Sequence, residues 1–349
     1  MKALVYHGPG QRAWVEKPLP TLQLPTDAIV RITKTTICGT DLHILKGDVP
    51  EVPPGLTLGH EGVGVVTATG SGVSAFKPGD RVLISCITSC GKCPSCRRGM
   101  YSHCEDGGWI LGHLIDGTQA EYVRIPHADG SLHRIPADCP DEEALVMLSD
   151  ILPTGYECGV INGEVQPGDT VAIVGAGPIG LAALMTAQFY SPAEIIMIDP
   201  DPNRLEVAKV FGATRGFAPA VAVAEILRLT GGRGVDAAIE AVGVPETFEL
   251  CQELIAPGGR IANVGVHGRS AALHLEKLWA RNITIRTRLV DTVTTPQLLK
   301  TVQTGKLRPA QLITHRFPLS EIMRAYDTFS HAAREKALKV ILANDGPTG

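Results

Sequence analysis

The sequence predicts an α/β protein of two parts, a partly open antiparallel β-barrel and a doubly wound parallel sheet. Three observations predict it. At 349 residues the chain exceeds the size that one hydrophobic core usually fills, so two domains are the natural division. Short strand-like runs alternate with Gly/Pro turns through the first hundred residues, and from about Asp150 strands alternate with helices, the pattern of a parallel α/β sheet. The stretch from Thr170 to Asp199, TVAIVGAGPIGLAALMTAQFYSPAEIIMID, reads as strand, glycine turn, helix and second strand in one unit.

Taken in order, the runs Met1–Tyr6, Ala28–Thr33, Gly62–Ala68 and Arg81–Ile84 supply the barrel strands, with turns at Gly70 and Gly72 and at Pro78, Gly79 and Asp80. Thr170–Val174 is apolar and β-branched, long enough for a buried parallel strand and too short for a helix. Gly175, Gly177 and Gly180 follow it. The first two allow a tight turn and close approach of backbone to a pyrophosphate, and the third lets the new helix pack against the strand. Pro178 suits a first helical turn and Ile179 completes the motif. The second strand, Glu194–Ile198, ends in Asp199, nineteen residues after Gly180, the spacing of an acid that grips a ribose diol. A carboxylate there accepts from both ribose hydroxyls and repels a 2′-phosphate. NAD is therefore expected over NADP, with Arg204 on the adenine side.

Candidate strands Val235–Glu240, Arg260–Val264 and Ile283–Thr287, with helices Arg204–Phe211 and Pro245–Leu254, continue the sheet. They put Val242 and the pair Gly265 and Val266 in loops at its carboxyl edge, where open α/β sheets bind ligands. Helical segments around Gln297–Thr304 and Ser320–Ser330 and a last strand, Ala337–Leu342, are expected to return to the first domain.

A net charge of −4 offers no electrostatic footprint for nucleic acid or an anionic membrane. No apolar run reaches bilayer length, and the start is too polar for a secretory signal. A cytoplasmic location and a small-molecule substrate are the expectations. Of nine cysteines, Cys90, Cys93, Cys96 and Cys104 crowd into C-x2-C-x2-C-x7-C, a closed four-thiolate arrangement whose role is structural. Lys92, Arg97 and Arg98 partly offset its charge. An iron-sulfur cluster uses similar spacing but lacks any wider redox context here, so zinc is favoured. Cys38, in ICGTDLHILKGD, and His60, in LGHEGVG, are residue types that zinc prefers, although either alone is more often a core residue.

Together, Cys-Gly-Thr-Asp-Leu-His at 38 to 43, Gly-His-Glu at 59 to 61, the cysteine lobe and the Gly175 turn resemble the zinc-dependent medium-chain alcohol dehydrogenases, in order and spacing over nearly the whole chain. The resemblance implies a GroES-like catalytic domain, 1–152 and 291–349, beside a Rossmann NAD-binding domain, 153–290. It implies one catalytic and one structural zinc, hydride transfer between an alcohol and NAD giving a ketone or aldehyde, and a homotetramer or homodimer. Cys38 and His60 match the first two catalytic ligands. Many members carry a second cysteine where this chain reads Ser149-Asp150-Ile151, so Asp150 is expected as the third ligand, as in the bacterial secondary-alcohol dehydrogenases. Secondary alcohols are the expected substrates, with glutathione-independent formaldehyde oxidation and polyol or threonine oxidation as alternatives. The resemblance further places Glu61 near the zinc, Asp41 behind the ligand histidine, Thr40 as proton acceptor and His43 as relay to solvent. It makes Trp109 a wall of the substrate pocket and puts Lys339 near the pyrophosphate.

Overall fold

The computed structural model describes residues 1–139 and 141–344; the end of the expected range 291–349, from 345 on, lies outside them. The chain divides into two compact units. One holds Met1–Asp150 with the chain from Asp291 onward, and the other is Ile151–Val290.

The first unit is built on strand Ala28–Thr36. Its alternate residues Ala28, Val30 and Ile32 point into one apolar cluster with Val66, Val82, Ile84, Val123 and Ile125, the period-2 burial of a strand with one face in a core. Gly62–Thr69 runs antiparallel along one edge. The other edge is shared, Tyr122–Ile125 pairing with Ala28–Arg31 and Lys339–Ala343 with Lys34–Thr36. Register shifts at Ile29/Val30 and Ile32/Lys34 bend the strand between these partners, as bulges do. Arg81–Ile84 and Leu132–Arg134 extend the sheet beyond Gly62–Thr69.

Two details depart from the sequence expectation. Ile313–Pro318 joins Lys339–Ala343 in parallel, so the sheet is not antiparallel throughout; that short, half-polar run carries no clean alternation. The first strand, Lys2–Gly8, pairs not with the barrel strands but with Gln11–Glu16 in a hairpin of its own. Leu4 and Tyr6 instead join a second cluster with Ile44, Leu58, Ile322 and Tyr326.

The second unit is a parallel sheet in the order Arg215–Phe217, Glu194–Ile198, Thr170–Val174, Val235–Glu240, Ile255–Asn263, Thr284–Thr287. Numbered by sequence this is 3-2-1-4-5-6, the doubly wound order of a dinucleotide-binding sheet. Helices Pro219–Leu229 and Pro245–Leu254 bury Ala222, Ile226, Cys251 and Leu254 against Ala172, Ile196, Ala238 and Ile261. The strand Arg215–Phe217 and the helix Pro219–Leu229 are additions to the sequence reading, since three residues with a central glycine give no periodic signal. Ile255–Asn263 begins earlier than expected because Pro257, Gly258 and Gly259 break its pattern, a break absorbed as a register shift opposite Val235/Ala237.

Strand Thr170–Val174 runs into helix Pro178–Ala187 through the glycine turn. Gly175 has φ of 103°, in the left-handed region where a side chain is strained. A Cβ on Gly180 would overlap the Gly175 carbonyl oxygen, whereas one on Gly177 would meet nothing within 4 Å. Gly180 therefore serves packing, and Gly177 leaves open a surface that a ligand can approach. Among the described residues no helix is long and apolar enough to cross a membrane.

These roles separate on mutation. Gly180→Ala should destabilise the second unit by about 1–3 kcal/mol through overpacking. Gly177→Ala should stay within about 0.5 kcal/mol of the parent and weaken dinucleotide binding instead. Thermal melts and dinucleotide titration of the two variants read this out; equal loss of stability would overturn the division.

Candidate functional site

Three segments of the first unit deliver one cluster of donors. Cys38 has extended backbone and caps helix Gly39–Lys46, its N–H donating to Asp41 Oδ2 at 2.9 Å. His60 and Glu61 lead into strand Gly62–Thr69. Asp150 is placed by its neighbour: the Ser149 carbonyl accepts from Cys86 N–H at 3.1 Å, and the Ser149 hydroxyl accepts from Gly62 N–H at 3.1 Å. Through these stitches one donor atom each from Cys38, His60, Glu61 and Asp150 comes to lie within 4.8 Å of all the others. Cys38 Sγ is 3.7 Å and His60 Nε2 3.3 Å from the same oxygen, Asp150 Oδ2.

A thiol, an imidazole and a carboxylate aimed at one another inside the protein are costly unless something joins them. Burial pushes the Cys38 thiol up, against the pull of His60. Burial opposes charge on His60 as well, but Asp150 and Cys38 facing it hold it well above the ordinary histidine value. Among the described residues the buried Glu61 Oε1 has no hydrogen-bond partner. Thiolate, imidazole and carboxylate are zinc ligands, and three protein ligands with a fourth position open is the arrangement of a catalytic zinc. Cys38, His60 and Asp150 fit that ion.

Glu61 stands beside them as a charge held back. Its Oε2 lies 2.7 Å from Lys339 Nζ, which also donates to the Ile37 carbonyl at 3.2 Å. Burial pushes the Glu61 carboxyl up, opposed by Lys339. Both side chains are 1% exposed. Lys339, expected near a pyrophosphate, has its ammonium buried in the first unit and paired with Glu61.

The other expected residues divide. Asp41 Oδ2 is fixed by Cys38 N–H and by Gln119 Nε2 at 2.9 Å, while Oδ1 lies 3.9 Å from His60 Nδ1, longer than a hydrogen bond. Thr40 Oγ1 is 3.7 Å from Cys38 Sγ. His43 is half-exposed with Nδ1 2.8 Å from Asp48 Oδ2, and among the described residues no hydrogen bond joins it to Thr40. Trp109 stacks on His113, ring centroids 4.2 Å apart and planes 19° from parallel. Three contributors escaped the sequence reading: Ser149, Gln119, and Cys86, whose buried thiol lies 3.7 Å from Asp150 Oδ1. Cys86 was discoverable as a cysteine just past a strand end and four residues before the lobe; a lone serine or glutamine carries no such signal.

The lobe gathers the thiols of Cys90, Cys93, Cys96 and Cys104 within 4.8 Å. Cys90 and Cys96 sulfurs are 4.0 Å apart, near the ~3.8 Å edge of a tetrahedron with zinc–sulfur bonds of about 2.3 Å. Backbone N–H groups of Glu105 and Cys96 bring the Cys93 thiol down to about 6, favouring thiolate. Burial pushes the Cys96 thiol up to about 12 and raises Cys104 as well; it is the gathering of four sulfurs at this spacing that suits a closed structural zinc site.

In the second unit the remaining candidates line the carboxyl edge of the sheet. Asp199 Oδ2 accepts from Ala176 N–H at 2.8 Å and Oδ1 from Asp201 N–H at 2.9 Å, tying the acid to the glycine turn. Arg204 approaches to 3.9 Å of Oδ2. Gly175, Gly177, Pro178, Ile179 and Gly180 form the turn beside them, and Val242 and Val266 stand 46% and 73% exposed on the loops after the next two strands. Gly265 lies between those loops.

The family model for the alcohol dehydrogenase GroES-like domain matches residues 24–137, and that for zinc-binding dehydrogenases matches 178–304. An alcohol dehydrogenase of Cupriavidus necator is 37% identical over 98% of both chains. The NADP-dependent isopropanol dehydrogenase of Thermoanaerobacter brockii is 34% identical over 91% of this chain and 92% of its own. A solved structure, zinc dependent alcohol dehydrogenase 2 from Streptococcus pneumonia in apo form, shares 57% identity and a TM-score of 0.96 over 100% of both chains. Family models covering both units, curated relatives along nearly the full length and the paired cysteine, histidine and carboxylate sites agree: the chain belongs to the zinc-dependent medium-chain alcohol dehydrogenases.

Proposed function

We propose that this alcohol dehydrogenase interconverts secondary alcohols and ketones with NAD as the hydride carrier, Cys38, His60 and Asp150 holding the catalytic zinc and the cysteine lobe a structural one. The observation that carries the reading is the convergence of those three donors, with Asp150 where many family members use cysteine. A relative acting on isopropanol, a secondary alcohol, supports the substrate class. That relative is NADP-dependent, whereas the buried acid at Asp199 supports NAD here.

When bound, zinc supplies the Lewis acidity that ionises an alcohol near neutral pH, and the nicotinamide supplies the hydride acceptor. The chain's own residues manage the proton. Thr40 Oγ1, beside Cys38 Sγ, takes the proton of the substrate hydroxyl. His43, half in solvent and oriented by Asp48, passes it outward by way of water, since among the described residues no hydrogen bond joins it to Thr40. The Glu61–Lys339 pair keeps a second carboxylate close to the ligands without committing it to them. Among the described residues no disulfide joins any of the cysteines, which suits the reducing cytoplasm. A homotetramer or homodimer is the assembly that the family resemblance supports.

Metal analysis of purified enzyme should find about two zincs per chain. Asp150→Ala should lose one together with turnover; Cys93→Ser should lose the other together with thermal stability. Activity surviving Asp150→Ala would remove that residue from the ligand set. Asp199→Ala should lower the ratio of kcat/KM for NAD over NADP by on the order of tenfold or more, and an unchanged ratio would take specificity elsewhere. His43→Gln should lower kcat and alter its pH profile; if both stay as in the parent, the relay ends elsewhere. A panel of secondary alcohols, primary alcohols, threonine and formaldehyde, compared by kcat/KM, ranks the substrate classes, and a preference for formaldehyde or threonine would displace the secondary-alcohol reading.

A further inference from the structure

Glu240 ends strand Val235–Glu240 fully buried, and neither metal site nor the glycine turn uses it. One oxygen, Oε1, accepts from Val242 N–H at 2.9 Å, Gly243 N–H at 2.8 Å and the Thr247 hydroxyl at 2.7 Å. That oxygen alone shapes the turn after the strand. The other, Oε2, is buried with no hydrogen-bond partner among the described residues. Its polar neighbour is His267 Nε2 at 3.6 Å, and that nitrogen is engaged with Asn263 Oδ1 at 2.9 Å. Gly265 keeps the next loop close, since a Cβ there would overlap both Oε2 and Gly243 N. Leaving a carboxylate oxygen unmatched inside a protein is costly, and an amide or an apolar residue that held the same turn would avoid the cost.

The place of this charge on the sheet gives it a use. Strand order reverses between Thr170–Val174 and Val235–Glu240, and a dinucleotide crosses a doubly wound sheet at that reversal. The two turns adjoin there, for a Cβ on Gly175 would come within 2.6 Å of Val242 Cγ2. With Asp199 on the adenosine side of the reversal, the nicotinamide half extends to the opposite side, along the loops that Glu240 and Gly265 hold. The oxidised nicotinamide ring is a cation and the reduced ring is neutral.

We propose that Glu240 makes this edge prefer the oxidised cofactor: its buried carboxylate, unmatched at Oε2, stabilises the cationic ring and does nothing for the neutral one. The inference rests on the nicotinamide reading above. It assigns to Glu240 a second task beside holding the turn, and the two tasks differ in their effects. Holding the turn affects both redox forms alike; the charge affects one.

The test is calorimetric titration of the zinc-loaded enzyme with NAD+ and NADH, and with the NADP pair. Glu240→Gln keeps an acceptor for the three donors and removes the charge. It should weaken NAD+ binding by on the order of tenfold and leave NADH within about twofold. Glu240→Asp, which keeps the charge, should hold the ratio of the two Kd values even if both rise. His267→Arg sets a fixed cation against Oε2 from the more open side and should shift the ratio as Glu240→Gln does; it carries the test if Glu240→Gln does not fold. Equal changes in both Kd values, or none, would overturn the electrostatic role while leaving the cofactor reading intact. A parent enzyme that binds neither redox form would overturn the cofactor reading, and this inference with it.

Discussion

The hydrogen bonds at Ser149 hold the donors of the first unit together. Cys38 and His60 each arrive at the end of an element that the sheet already positions, but Asp150 lies in the turn that follows helix Glu142–Val146. Its carboxylate reaches the other donors because the preceding residue is bound on both its carbonyl and its hydroxyl, to Cys86 and to Gly62. Gly62 sits two residues after His60, and Cys86 touches Asp150 itself. The same few backbone groups therefore fix the spacing of histidine and aspartate. Such positioning through backbone bonds tolerates little play, as a site needs if its donors are to meet one ion.

Around that constraint the charges are arranged in shells. Asp41 and Glu61 are both buried acids beside the donor set, yet each is restrained differently. Asp41 is bound through one oxygen to the helix start and to Gln119, which Tyr326 in turn holds at 2.8 Å. Glu61 is bound through one oxygen to Lys339. Among the described residues each leaves its other oxygen without a hydrogen-bond partner. The first anchors a structural element, and the second anchors to a cation, so the two acids respond to different neighbours although they share one pocket of charge.

Much of this was legible in the sequence because the motifs are local. The glycine turn, the acid ending the second strand and the four-cysteine lobe each occupy one short stretch, and their spacing carries their geometry. The family resemblance extended the reading to Asp150, which no local pattern marks. What was missed depends on meetings between distant segments. Lys339 and Glu61 are 278 positions apart, and a lysine in a strand looks the same whether it faces solvent, a phosphate or a buried acid. Gln119 and Ser149 act through single hydrogen bonds that no periodicity announces. Glu240 offered a faint clue, being an acid at the end of a buried strand as Asp199 is, but its value lies in an oxygen with nothing bound to it.

Strand Ala28–Thr36 divides one edge between Tyr122–Ile125 and Lys339–Ala343, and this has a consequence for the order in which the protein is made. The second unit is a single continuous stretch, complete once Val290 has left the ribosome. The first unit waits for Lys339–Ala343 to be translated before its founding strand has all these neighbours. Domains fold as units during synthesis, and closing so long a loop is slow. The parallel-sheet unit is therefore the earlier to form. The half-built sheet around Cys38 and His60 stays open until Lys339–Ala343 has been made, the strand that brings Lys339 to Glu61.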